Sequence, residues 1–546
     1  MKKDYVLAMY DIRGKQEFIY RSVKLKEIVG GSAIIRDCFD DYFFDAAKAY
    51  RNEQKHTCDK NDKAIEQYDP ETQMDFKFSE FENRMNNENG QYIGEVVYCG
   101  GGNFLVLFKN EEACKEVTYR FTREVIRNTS TLRVVCTYIK DLNPDCYHSN
   151  DLARIGDYDR LYSEHRFNEN QETTADPYWS LPIVQTDYLT SQPLVQINVI
   201  DQREEKLTKE QSLKHKKYRE EWKLAQNPGQ KTIKNVLDEN ELDKMVKEKG
   251  KDSMLAVIHI DGNNMGARVQ KCFEEESYDA CITRLRKLSK EIQEVCIDDR
   301  LEELDIKRRV VVDAGDDFTI ICNAHDAWKV ACTYLKNLPE EYSSCVGIAI
   351  FHSHTPFSDV YRIAEECCES GKKKIREQSK KDPTINSKQI CMLDFHYCQG
   401  AIGLSLDDIR AMEHHQVTSL PWQILRQTAS AKTAGNEDQK HEEVLIGSKT
   451  NKDAERVRKN LDLFGRSNVK GLLEPAQYSE AAFMMEIRRI ISHMSSDERK
   501  ALDYKGYKDI FEFCEANRWL IRDLIIAYDI GFGLGEKNNE SQHDQN

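Results

Sequence analysis

Two adjacent carboxylates, Asp316 and Asp317, follow Gly315 in the stretch Val310-Val311-Val312-Asp313-Ala314-Gly315-Asp316-Asp317-Phe318-Thr319-Ile320-Ile321. β-Branched runs flank a tight tip, which is the pattern of a β-hairpin. Strands this apolar fit burial on both faces. Like charges side by side at such a tip repel unless a cation sits between them. Mg2+ (or Mn2+) ions held by oxygen ligands would serve. A solvated acidic turn is the plain alternative, and the motif alone does not separate the two.

A third carboxylate, Asp261, ends the buried run Met254-Leu255-Ala256-Val257-Ile258-His259-Ile260 and opens Gly262-Asn263-Asn264-Met265-Gly266. The elements that must position it come from an internal repeat. Residues 5–140 and 254–395 share one order: strand, aspartate, helix, strand, glycine tip, strand, helix, strand. That order is close to βαββαβ, the ferredoxin-like unit. In such a sheet the first and third strands are central neighbours, so Asp261 would converge with Asp316 and Asp317. Carboxylates meeting from two strands suit a two-metal site for in-line phosphoryl displacement. Lys372, or its neighbours Lys373 and Lys374, could meet the β- and γ-phosphates as a point charge. Gly262 and Gly315 leave room for a triphosphate to approach the backbone. Each item also has an ordinary reading. Asp261-Gly262 can be a turn, the lysine run a solvated helix end, and Asp316-Asp317 a polar tip. Their order and strand context, taken jointly, favour chemistry.

The first copy differs at its tip. It keeps Asp11 after the strand 5–10 but presents Gly100-Gly101-Gly102-Asn103 where the second has its carboxylates. It should bind metal poorly and could still bind a nucleotide, so that two nucleotides face each other. A decayed repeat kept for packing is the competing account. Between its strands a helical pattern runs from Lys15 to Val29. Gly30-Gly31-Ser32 should interrupt it, with Ser32 as N-cap of a second helix over 33–48.

Composition narrows the classes. The chain has 546 residues, 40% hydrophobic, with a net charge of −15, which suits several domains and disfavours an indiscriminate polyanion binder. Its 17 cysteines include no Cys-x-x-Cys pair, which argues against a zinc ribbon and for free thiols in a reducing compartment, the cytoplasm. The start reads as no signal peptide, and no apolar run reaches membrane-spanning length. Residues 49–90 read as a polar insertion. Residues 203–250, dense in Lys and Glu, read as a solvated helical hairpin or linker. His352 and His354 share a strand face, but with no third ligand a structural or base-stacking role fits better than zinc. His414-His415 reads as helix surface.

The combination resembles a known family. Asp-Ile-x-Gly after a strand and a Gly-Gly-Asp-Asp-like hairpin resemble the palm domains of nucleotidyl cyclases and GGDEF-type enzymes. Gln16-Glu17-Phe18-Ile19 with Lys24-Leu25-Lys26-Glu27-Ile28 and Gly30-Gly31-Ser32 is similar to the first palm of the large, polymerase-like subunit of type III CRISPR effector complexes. Asp261-Gly262-Asn263-Asn264-Met265-Gly266 with Ala314-Gly315-Asp316-Asp317 resembles that subunit's second palm. Ala364-Glu365-Glu366-Cys367-Cys368 running into Lys372 is similar to the segment with its triphosphate-binding lysine.

The expected fold is therefore α+β. A first palm over 1–141 has a degenerate metal site, and a loop-rich, charged connection spans 142–250. A catalytic second palm covers 251–400, followed by a helical C-terminal domain over 401–535 and a disordered tail at 536–546. The resemblance implies conversion of ATP to cyclic oligoadenylate, a second messenger in antiviral defence. It implies Asp261, Asp316 and Asp317 as Mg2+ ligands and catalytic residues, with Gly262 at the metal site. The nucleotide contacts expected with them are Asn264, Gly315, Lys372 and Lys373 on the second palm, and Asp11, Ser32, Gly101 and Gly102 on the first. Partners would be ATP as substrate and the subunits or RNA trigger of a guide-RNA complex, with a homodimer also open.

The departures point to a shortened or standalone relative. Nothing corresponding to the family's HD nuclease precedes the first palm, its cysteine-pair zinc element is missing, and Ala314 replaces a glycine. A cyclic dinucleotide is then an alternative product. A catalytically silent scaffold in a guide-RNA complex and a nucleotide-binding sensor are the readings from other classes.

Overall fold

In the computed structural model the chain divides into two units. Met1–Glu239, Asn264–Ile297 and Val311–Phe318 form the first; Asn240–Asn263, Asp298–Val310 and Thr319–Asn546 form the second. The structure describes residues 5–142, 161, 183–225, 242–295, 301–381, 390–424 and 444–530, less 23, 56–62, 68–73, 87–91, 101–102, 201–202, 243–244, 248–251, 275–276, 302–303, 305, 315–316, 399–402, 413–417 and 447–448. The expected tail at 536–546 lies outside them. Among the described residues no helix is long and apolar enough to cross a membrane.

The first unit is built on β1 (Tyr5–Arg13), whose apolar run YVLAMY is buried residue by residue. Around it lie β2 (Ile65–Glu66), β3 (Gly94–Gly100), β4 (Asn103–Phe108) and β5 (Arg133–Leu142), in the order β2-β3-β4-β1-β5. β1 pairs antiparallel with both β4 and β5, so the first and third strands of the repeat are central, as expected. The connecting helices are α1 (Lys15–Tyr20), α2 (Leu25–Arg36), α3 (Phe44–Lys55), α4 (Phe78–Met85) and α5 (Glu111–Thr129). An aromatic cluster of Tyr10, Phe39, Phe43, Phe104 and Phe121 closes the core. Phe39 stacks on Phe104 at 4.4 Å, an arrangement that adds geometry to area burial.

Two expectations for this unit are corrected. Gly30-Gly31-Ser32 does not interrupt a helix and Ser32 is no N-cap: all three lie inside α2. A Cβ on Gly30 would stand 2.0 Å from the backbone oxygen of Lys214, so the glycines serve close helix–helix approach. That partner corrects the second expectation. After a hairpin of β6 (Leu194–Ile200) and β7 (Arg203–Thr208), the chain enters α6 (Lys209–Ala225), which packs on α2 and is not a solvated helix. Its Lys214 is buried, 2.7 Å from Glu210 and 4.3 Å from the Phe18 ring centroid, and donates to the Phe18 carbonyl. Burial draws that ammonium below the usual lysine value against the pull of Glu210. Periodicity misses such a helix because its buried positions are charged.

By sequence, α7 (Met265–Cys272) and α8 (Tyr278–Val295) lie inside the second repeat, yet they belong to the first unit. Arg286 of α8 donates to Glu95 at 2.9 Å and to the Val96 carbonyl at 2.9 Å, and Ser289 donates to the Cys99 carbonyl at 2.6 Å. Thr283 and Asp279 accept from the backbone N–H groups of Phe76 and Phe78.

The second unit carries β8 (Met254–Gly262), β11 (Ser344–His352) and β12 (Cys391–Tyr397), together with parts of β9 (Arg308–Ala314) and β10 (Asp317–Asn323), of which Val311–Phe318 is counted in the first unit. The sheet order β11-β8-β10-β9 repeats the ferredoxin-like order of the first unit, and β12 adds to it in parallel with β11. The helices here are α9 (Ala327–Asn337) and α10 (Phe357–Lys381). Two glycines let α10 lie on the sheet. A Cβ on Gly347 would stand 1.8 Å from the Ala364 oxygen, and one on Gly371 would stand 3.0 Å from Met392 Cβ.

Residues beyond 401 were expected to be helical. Instead, after α11 (Leu406–Met412), the short strands β13 (Trp422–Ile424), β14 (Val444–Ile446) and β15 (Lys449–Thr450) extend the sheet from β12. Helices then run from Asn451 to Ile526. Buried Asp523 anchors the 418–422 turn by accepting from Thr418 at 3.0 Å and from the Ser419 N–H at 2.8 Å. Both units mix helix with sheet, so the class is α+β.

Candidate functional site

Asp261 sits one residue before the end of β8, in register with Cys345 of β11. The run LAVIHI behind it is fully buried, so the strand delivers a half-buried carboxylate at its end. Lys372, on the face of α10 toward the sheet, donates to Asp261 Oδ2. Burial lowers the Lys372 pKa, but the charge and hydrogen bond of Asp261 outweigh that and leave it above the usual lysine value. Gly371, one residue earlier, is what lets this turn of α10 lie against Cys345 and Met392.

The loop after Asp261 is held by Asn263, which sequence reasoning missed as a functional residue. Its N–H donates to the Ser343 carbonyl at 2.8 Å. Its side-chain amide donates to Ser343 Oγ at 3.2 Å and to the Ile390 carbonyl at 3.1 Å, and Oδ1 accepts from Cys345 Sγ at 3.3 Å. The strand end is thereby tied to the starts of β11 and β12. Asn264 follows with φ at +61°, in the left-handed region that asparagine tolerates, and caps α7. The position beside the Asp-Gly pair was the available signal; the partners, some eighty or more residues away, were not in the local pattern.

His259 was also missed. It lies two residues before Asp261, its Nδ1 3.1 Å from Thr319 Oγ1 and its ring 5.3 Å from that of Tyr361. Burial, with a smaller push from Lys372, lowers its pKa to about 3, so it is neutral at ordinary pH. Behind α10, buried Asp394 accepts from Arg410 at 2.7 and 3.0 Å and from Ser370, fixing the helix two residues from Lys372.

The other expected residues fall as follows. Asp317 opens β10, two residues before Thr319, and is half-buried. Gly262 is the last residue of β8. Gly315 and Asp316, and Gly101 and Gly102 in the first unit, lie outside the described residues. Lys373 is exposed, whereas Lys372 is half-buried. Asp11 pairs with Lys15 at 3.0 Å and stands in register with Asn103, at the start of β4. Ser32 is half-buried inside α2. The His352 and His354 rings lie with centroids 5.4 Å apart, tilted by 41° to each other. The described cysteines are free thiols, most of them buried.

A ferredoxin-like sheet with a carboxylate at the end of its first strand, met by a lysine from the following long helix, defines a palm-type domain. Residues 254–383 match the family model "Cas10/Cmr2, second palm domain". Over those residues the second repeat is similar to that family's second palm, and the chain is Cas10-like there. No curated protein matches the chain. Among solved structures it is similar to a Csm1-Csm4 cassette in complex with AMPPNP (14% identity, TM-score 0.42, 68% of this chain and 53% of that one). It is also similar to the cassette with one ATP (14%, 0.42, 68% and 54%) and to Csm1 in T. onnurineus (14%, 0.36, 68% and 52%). The chain spans about half the length of these structures.

Proposed function

We propose that the chain is a Mg2+- or Mn2+-dependent nucleotidyltransferase that joins ATP into a cyclic oligonucleotide second messenger of CRISPR-type defence. The observation that carries this reading is the ion pair between Asp261 and Lys372, inside the segment that matches the Cas10/Cmr2 palm. A carboxylate at a strand end and a lysine that already reaches it are the anion and cation that a metal–triphosphate substrate would bridge.

The donor set fits the metal. Asp261 is partly exposed, its neighbour Gly262 has no side chain, and Asp317 opens the strand adjacent to β8 in the sheet. Within the second unit, His259 and Thr319 meet two residues behind Asp261. Asp316 would complete the set. Oxygen donors alone suit Mg2+ or Mn2+ over softer metals. When bound, the metal would supply charge neutralisation of the triphosphate and a lower pKa for the attacking hydroxyl.

The chain's own residues then do the rest. Lys372 exchanges Asp261 for the β- and γ-phosphates and orients the triphosphate. Asn263 keeps the strand end in place. Asp317 acts as a further ligand or takes the proton of the attacking hydroxyl. That hydroxyl oxygen bonds to the α-phosphorus of a second ATP, the α–β anhydride bond breaks, and pyrophosphate leaves. The first palm, near Asp11 and Ser32, would hold the acceptor nucleotide. Guide-RNA complex subunits or an RNA trigger are the partners this reading expects.

The test is incubation with each labelled nucleoside triphosphate and Mg2+ or Mn2+, alone and as the complex isolated from its host, with products resolved by mass spectrometry. A cyclic oligonucleotide lost in Asp261→Asn supports the proposal. ATP binding without product in the isolated complex would make the palm catalytically silent.

A further inference from the structure

We infer that the first unit carries a divalent-cation site of mixed nitrogen and oxygen character, formed by Glu27 of α2, Glu205 of β7 and His215 of α6, separate from the palm carboxylates. One ligand atom from each of the three lies within 4.8 Å of the others. His215 Nε2 stands 2.9 Å from Glu27 Oε1, and both residues are buried, with Glu27 and His215 side chains 0% and 3% exposed. Among the described residues the second Glu27 oxygen is buried and accepts no hydrogen bond of ordinary geometry, although the Ser22 hydroxyl also interacts with this carboxylate. An ionised carboxylate oxygen left so in the interior is costly, and a metal ion is one group that satisfies it.

The charges fit. Lys24 and Lys26 contact Glu205, and Lys24 lies 3.8 Å from Glu27, so two ammonium groups balance the two carboxylates. Lys24 is 40% exposed and can turn into solvent without unfolding anything around it. A divalent ion taking the place of Lys24 meets two carboxylates, with Lys26 still beside Glu205. One imidazole with two carboxylates suits Zn2+ or Mn2+ and leaves a coordination position for water. The three ligands come from three elements, so the ion would clasp α2 to α6 and β7. The Gly30–Lys214 contact makes that packing close already.

The probe is Zn2+ added to chelator-treated, dialysed full-length protein, with Co2+ as its spectroscopic substitute. The expected result is one more tightly bound Zn2+ in the wild type than in Glu205→Gln or His215→Ala. The corresponding Co2+ difference spectrum should lack a thiolate charge-transfer band, since the cysteines could bind these metals independently. Lys24→Met should tighten binding about tenfold or more by removing the competing cation. Should His215→Ala fail to fold, Glu205→Gln carries the comparison, because Glu205 is only half-buried. Equal stoichiometry and affinity in wild type and Glu205→Gln, or a thiolate band in the difference spectrum, overturns the site.

Discussion

Lys372 donates to the carboxylate of Asp261 across the gap between α10 and the end of β8. If the lysine's task is to receive a triphosphate, Lys372→Ala should weaken ATP binding about 10- to 100-fold and lower turnover less. Asp261→Asn should instead lower turnover about 10³-fold or more, because it removes a ligand. Steady-state KM and kcat, with equilibrium ATP binding measured beside them, separate the two. Equal effects of both variants on KM alone would count against the assigned roles.

Replacing Asp316 and Asp317 together by alanine should abolish product while leaving the melting temperature within a few degrees. Asp317 is only half-buried at the start of β10, so the change should remove little packing. Mass spectrometry and thermal melts check both halves. Product formation in that double variant would falsify the metal-site assignment.

Gly347 is where α10 meets the sheet. In Gly347→Ala the new methyl would overlap backbone atoms, the Ala364 oxygen at 1.8 Å and the Cys368 nitrogen at 2.4 Å, so the helix itself must shift. The expected loss is about 3 kcal/mol of stability, at the upper end for overpacking. Because Lys372 rides on that helix, ATP affinity should fall with it. Gly471→Ala, where a Cβ meets nothing within 4 Å, is the control and should change stability by less than about 0.5 kcal/mol. Urea unfolding of the two variants makes the comparison.

His259 predicts a pH dependence. Burial holds its folded pKa near 3, against 6.5 when unfolded. The unfolded chain therefore takes up a proton that the folded chain refuses. Stability from this group is complete above about pH 6.5 and falls as pH drops toward 3, by up to about 1.4 kcal/mol per pH unit. Melts between pH 8 and pH 5 should show the second unit losing stability, with a shallower fall in His259→Asn. An unchanged slope in that variant would mean that other groups set the acid limit.

Much of this was legible before any coordinates. The buried strands, the aspartate closing the first strand of each repeat and the βαββαβ order follow from alternation, apolar runs and turn residues, which are local signals. Those signals carried the sheet order too, since a βαββαβ chain has few ways to pair its strands. The Asp261–Lys372 meeting depended on it.

What stayed hidden depended on contacts remote in sequence. Gly30-Gly31 reads as a helix break until a second helix is seen resting on it. Lys214, His215, Glu210 and Glu27 read as solvated charges until their mutual pairing makes their burial affordable. Trp422–Ile424, Val444–Ile446 and Lys449–Thr450 look too short for a sheet, and become strands because β12 offers an open edge. Asn263 shows no role until Ser343, Cys345 and Ile390 surround it. Local pattern records what each segment prefers by itself; long-range packing settles which polar groups are buried, and therefore which can form a site.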